Sequence, residues 1–169
     1  MAKVEVYLSK IDLINEWVGK TVAYAILPLT LIASLEVVLR YVFDRPTIWA
    51  WDVNIQLGAL LAIMGAGYTL RHGGHVIVDV AVTRFSLRQR ALIDLITTWL
   101  FFFACVILVW KSGVEGWDSL MTKEAYSSIW APPIYPLKMI IPVGAFLLLL
   151  QGIAKFARDI VIVIAPKEV

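Results

Sequence analysis

The stretch YTLRHGGHVIVD, residues 68–79, holds two histidines three apart, with Arg71 before them and Asp79 four residues beyond the second. His72, His75 and Asp79 are donor types found around zinc, and a histidine beside a carboxylate is common material for a proton relay. The spacing argues against a metal. Gly73 and Gly74 break the helix that would align the three donors, and no fourth ligand is evident. A relay has no positive support, because an unshifted histidine is mostly neutral at ordinary cytoplasmic pH. These are the only histidines in the chain, so a Ser-His-Asp arrangement would have to use them. No G-x-S-x-G, P-loop, dinucleotide fingerprint or H-E-x-x-H occurs, and both histidines sit at a turn rather than deep in opposed helices, which disfavours haem. The expectation is a chain that is not an enzyme and holds neither metal nor cofactor.

The elements around this turn are oily. Of 169 residues, 60% are hydrophobic and 17% charged, and the mean hydropathy is +0.81. Soluble domains are nearer ~25% charged, so the composition indicates an integral membrane protein. A net charge of +2 gives no sign of a nucleic-acid surface. Cys105 is the single cysteine and cannot form an internal disulfide. The opening MAKVEVYLSKIDLINEW lacks the charged, apolar and small-residue order of a signal peptide, so the first apolar span is expected to stay in the mature protein.

Four spans are expected, at residues 18–39, 51–70, 91–110 and 136–157, each near the ~20 residues that cross a hydrocarbon core. The fold class is therefore an all-α membrane protein forming one membrane domain over 1–169. Residues 1–17 read as an amphipathic surface segment and residues 71–90 as a connector. Pro28 and Pro142 are expected kink sites. Ten Lys and Arg residues lie on the side of the termini and the connector, against five on the other. By the positive-inside rule both termini and the connector are cytoplasmic.

Charge near hydrocarbon is expensive, so placement matters. Glu36 and Arg40 are four apart and can pair on one helical face; Glu36 otherwise reaches headgroups or a partner. Pro46 breaks the chain, Thr47 can cap the next helix, and Trp49 is an interfacial anchor. Asp52 and Gln56 form an i,i+4 stripe expected to face protein. Gly58, Ala62 and Ala66 offer a small-residue face for helix packing. Arg71 suits both the inner side and a helix C-terminus, and Gly73 or Gly74 can supply a left-handed cap.

Taken in order, Arg40-Tyr41-Val42-Phe43, Trp49, Asp52, Gly65 and Arg71-His72-Gly73-Gly74-His75-Val76-x-Val78-Asp79 resemble the small membrane subunit of tripartite ATP-independent periplasmic (TRAP) transporters. The motif covers about residues 40–79, and the four-span layout extends the likeness over almost the whole chain. One departure is visible: the family commonly places two adjacent carboxylates after its tryptophan, where this chain has Trp51-Asp52. The resemblance implies a bacterial inner-membrane scaffold for a large multi-span subunit, with an extracytoplasmic solute-binding protein as third partner. Uptake of an organic acid or related solute would be driven by an ion gradient, usually sodium, bound in the large subunit. Glu36, Arg40, Trp49, Asp52, Gln56, Arg71, Gly73, Gly74, His75 and Asp79 are the candidate subunit-contact or structural residues. The competing reading is a small subunit of an unrelated membrane complex, or a homo-oligomeric exporter.

Overall fold

A computed structural model describes the backbone of residues 2–73 and 87–164, and the side chains of residues 5–73 and 98–161. Five helices follow one another: α1 (Ala2–Ala23), α2 (Ile26–Tyr41), α3 (Ala50–Arg71), α4 (Leu87–Thr122) and α5 (Tyr135–Ile164). Because α1 and α2 run on as one apolar stretch, there are four candidate spans, over Glu5–Tyr41, Ala50–Arg71, Thr98–Thr122 and Tyr135–Val161. The fold is all-α, as expected.

The break between α1 and α2 has a local cause. Pro28 cannot donate to Tyr24 O, and its ring crowds that carbonyl four residues back. The chain leaves the helix at Tyr24 and Ala25, where Ala25 N donates to Val22 O (2.8 Å) and Leu27 N to Tyr24 O (3.1 Å). These are tight i→i−3 bonds. Pro142 behaves differently and sits inside an unbroken α5. It frees the carbonyl of Lys138, and Gly116 of α4 lies against that carbonyl, where an added Cβ would stand 2.8 Å from the oxygen. The missing side chain lets α4 cover the freed group.

Helix ends follow capping rules. Gly73 takes φ +67° just beyond α3, as expected of a left-handed cap. α4 continues well past residue 110, for about 54 Å at 1.5 Å per residue, because nothing in residues 111–122 stops a helix. It ends where Lys123 turns left-handed (φ +49°), with Glu124 N bonding Ser119 O and Lys123 N bonding Leu120 O. That pattern is a Schellman motif with lysine in the usual glycine position.

α4 and α5 form the most extensive pair, α3 packs on α5, and α1 and α2 both lie on α3. The buried residues are small or polar: Ala50, Cys105, Ala145 and Ala154, with Asn15, Asp52, Ser119 and Gln151. Large apolar side chains such as Leu31, Trp99, Phe103 and Trp110 point outward. A bundle solvated by lipid has this distribution, since helices gain from close packing and polar pairing rather than from hiding leucine. The small-residue face of α3 is only partly used: Gly58 meets Leu29 at an ordinary 3.9 Å, Ala62 is exposed, and a Cβ at Gly65 would meet nothing within 4 Å.

Candidate functional site

The candidate residues fall at the two ends of the bundle. At the end formed by the α2–α3 and α4–α5 connections, Glu36 organises the first turn-around. Arg40 donates to Glu36 Oε1 through Nε (3.1 Å) and Nη2 (2.7 Å). Thr47 donates to Glu36 Oε2 from its backbone N (3.1 Å) and its hydroxyl (2.6 Å). The same hydroxyl accepts from Ala50 N at 3.2 Å, so Thr47 ties the start of α3 to the end of α2. Both carboxylate oxygens of Glu36 are thus engaged within the chain. Trp49 precedes α3 and is half-buried; Trp51 is exposed.

Asp52 is buried and accepts a hydrogen bond from the Ser128 hydroxyl. Ser128 in turn accepts from Ala131 N at 3.1 Å. The connection of residues 123–134 is closed further by Tyr126 N to Pro132 O (2.8 Å) and Ile134 N to Glu124 O (3.0 Å). Lys138 donates to Glu124 Oε2 at 2.6 Å. The Lys138 ammonium holds the Glu124 carboxyl below its ordinary range. Gln56, one turn after Asp52, lines an apolar groove of about 220 Å³ with Leu57, Leu60, Trp130 and Leu137. The stripe therefore divides: Asp52 turns to the chain's own loop and Gln56 to the groove.

At the opposite end Arg71, in the last turn of α3, reaches back to α1. Its Nη1 donates to Asp12 O (2.8 Å) and Glu16 Oε2 (2.9 Å). His72 packs against Tyr68 with ring centroids 4.2 Å apart, its Nε2 3.5 Å from Glu16 Oε2. Among the described residues no group of three or more His, Cys, Asp or Glu is placed to hold a metal. Gly74, His75 and Asp79, with most of the 71–90 connector, lie outside the described residues.

The larger network at this end joins residues that the sequence left unassigned. Asn15 and Gln151 are each 1% exposed. Asn15 Nδ2 donates to Gln151 Oε1 (2.9 Å) and to Ile11 O (3.1 Å). Gln151 Nε2 donates to Asp12 Oδ1 at 2.8 Å, and Arg158 Nη2 to Asp12 Oδ2 at 2.6 Å. Asn15 Oδ1 lies over Gly67, where an added Cβ would overlap it and stand 2.9 Å from Asn15 Cγ. Asp12, Asn15, Glu16, Gln151 and Arg158 thus bracket α1 to α3 and α5. A signal existed: Asp12, Asn15, Glu16 and Gly19 share one face of α1, and Gln151 interrupts a run of four leucines. A polar residue in such a run turns toward protein. α1 is amphipathic with its polar face inward and Leu13, Ile14 and Trp17 outward.

Carboxylates, amides and guanidinium groups that satisfy one another at both ends of four apolar helices define an all-α, multi-pass membrane protein. The comparisons make the class specific. A family model described as "Tripartite ATP-independent periplasmic transporters, DctQ component" matches residues 29–161, and the chain belongs to that family. It is also similar to the C4-dicarboxylate TRAP transporter small permease protein DctQ of Vibrio cholerae, with 25% identity over 109 residues. That match spans 62% of this chain and 45% of the relative, under half of the relative's length. The family model takes in the Arg40, Asp52 and Arg71 regions and α5, but begins beyond α1.

Proposed function

We propose that the chain is the scaffold subunit of a three-part importer in a bacterial inner membrane. It holds the static part of a large multi-span subunit, while an extracytoplasmic binding protein delivers an organic acid or related solute. An ion gradient, with sodium the expected coupling ion, drives uptake through sites in the large subunit. The observation that carries this reading is the family match over most of the chain. Consistent with it, the polar groups at both ends are directed to the chain's own helices and loops, leaving broad apolar faces for lipid or a partner. Residues 18–39, 51–70, 91–110 and 136–157 cross the bilayer, and the end bearing Arg71 and Arg158 faces the cytoplasm. Arg40, with its side chain 52% exposed, is the better contact candidate of the outer pair; Asp52 acts through Ser128 and the loop it holds.

The test is mild-detergent capture of the tagged chain from its native membrane. A large multi-span protein from a neighbouring gene should copurify, and Arg40→Ala should lower its recovery several-fold while leaving the chain's own abundance unchanged. Recovery of no such partner from native membranes would overturn the scaffold reading. Full recovery with Arg40→Ala would remove Arg40 from the interface.

A further inference from the structure

We propose that α1 is a hinged strap, able to swing about the break at Tyr24–Ala25 and latched onto α3 and α5 by Asp12, Asn15 and Glu16. Three separate observations carry this. The first is the hinge itself. Pro28 removes a helical bond across the junction, and the remaining bonds there are the short i→i−3 type, with Tyr24 N to Thr21 O stretched to 3.3 Å. A junction of this kind can change angle without unfolding either helix.

The second is the kind of contact that holds α1. Its fully buried residues are Asn15 and Gly19, and neither offers a large apolar surface to its neighbours. Its bulky side chains face away from the bundle. What remains is a set of hydrogen bonds and ion pairs whose charged members reach the surface: side-chain exposures are 14% for Asp12, 20% for Glu16, 33% for Arg71 and 39% for Arg158. Such groups can trade each other for water or lipid headgroups at small net cost. The latch residues stand 8–12 positions from Tyr24, so a small change of angle at the hinge is amplified over a lever of roughly 12–18 Å.

The third is loose packing beside the hinge. A groove of about 200 Å³ lies between α1 and α3, lined by Gly19, Val22, Ala23, Leu61, Gly65 and Tyr68. Tight side-chain interdigitation would make the helices a bistable or locked pair. Here the contact near the hinge is already open, and closure depends on the polar end. Swinging α1 away would bare Gln151, Gly67 and the α3–α5 seam. The fold thus holds two arrangements, with the balance between them set by a few polar contacts.

The strap is tested on the full chain in lipid nanodiscs, with spin labels on the exposed positions Tyr7→Cys and Val161→Cys in a Cys105→Ala background. One narrow distance distribution is expected with the latch intact. Asp12→Asn with Glu16→Gln should add a second, longer component holding at least a third of the population. Adding Pro28→Ala, which mends the helix, should remove it. A reference pair at Trp51→Cys and Trp130→Cys, at the other end of the bundle, should stay narrow throughout. An unchanged distribution in the latch variant, or equal broadening of the reference pair, would overturn the strap. The unsubstituted chain gives an independent reading by hydrogen exchange: amides of residues 8–18 should exchange at least tenfold faster than those of residues 56–66. Equal rates would also overturn it.

Discussion

Replacing Gly67 by alanine tests the network at its tightest point. The new methyl would overlap Asn15 Oδ1 and press on Asn15 Cγ from 2.9 Å. Asn15 must therefore move, and moving it breaks its bonds to Gln151 Oε1 and Ile11 O. Two such bonds contribute about 0.5–1.5 kcal/mol each, and overfilling a packed site costs about 1–3 kcal/mol. The expected destabilisation is about 3 kcal/mol. Gly65→Ala is the internal control, two residues earlier on the same helix, because its Cβ would meet nothing within 4 Å. It should stay within about 0.5 kcal/mol of the parent. Denaturant unfolding in detergent micelles, followed by tryptophan fluorescence, reads both. A double-mutant cycle sharpens the assignment: with Asn15→Ala the obstructing atoms are gone, so Asn15→Ala with Gly67→Ala should be less destabilised than the single effects add to, by about 1–3 kcal/mol. If Gly67→Ala behaves like Gly65→Ala, or the cycle shows no coupling, the packing of Asn15 on Gly67 is wrong.

Two further expectations concern the ends of the bundle. The Glu124 carboxyl is held below its ordinary value of 4.5 by Lys138, so protonation opposes the folded form. Its stabilising contribution is present above that value and lost as pH falls through the lowered one. The melting temperatures of the parent and Lys138→Met should therefore differ at neutral pH and converge in acid below 4.5; a difference that grows on acidification would contradict the pair. Gly73→Ala places a methyl at φ +67°, which costs about 1–2 kcal/mol, and Gly73→Asn should cost less because asparagine tolerates that conformation. Equal melting temperatures for Gly73→Ala and the parent would show that the cap is not strained.

Local features were legible in advance because their causes lie within a turn or two. Glu36 meets Arg40 on the i,i+4 face, Pro28 interrupts the first apolar stretch, Pro46 follows the helix that ends at Tyr41, and Gly73 takes the left-handed cap. The oily composition likewise dictated four spanning helices. The partners of Asp52 and of the α1 polar face were not legible, because hydrogen bonds across 76 to 146 residues depend on how helices pack. A periodic pattern says that α1 has two faces without saying which one meets protein. In water the polar face would turn outward; against lipid the preference reverses, and Asn15 goes inside. Pro142 shows the same dependence. Its freed carbonyl is covered by Gly116 from another helix, so the identity of the proline alone could not separate an unbroken helix from a broken one.

The span of the contacts also orders the chain's assembly. The bonds that close one end are short in sequence: Glu36 to Thr47 crosses 11 residues and Glu124 to Lys138 crosses 14. Those that fix α1 to α5 cross 136 to 146. During synthesis the first end can close as each helical pair emerges, whereas Asp12 and Asn15 must wait until Gln151 and Arg158 have been made. Nearly the whole chain is therefore built while the polar face of its first helix is uncovered. The last helix to be synthesised supplies its final partners.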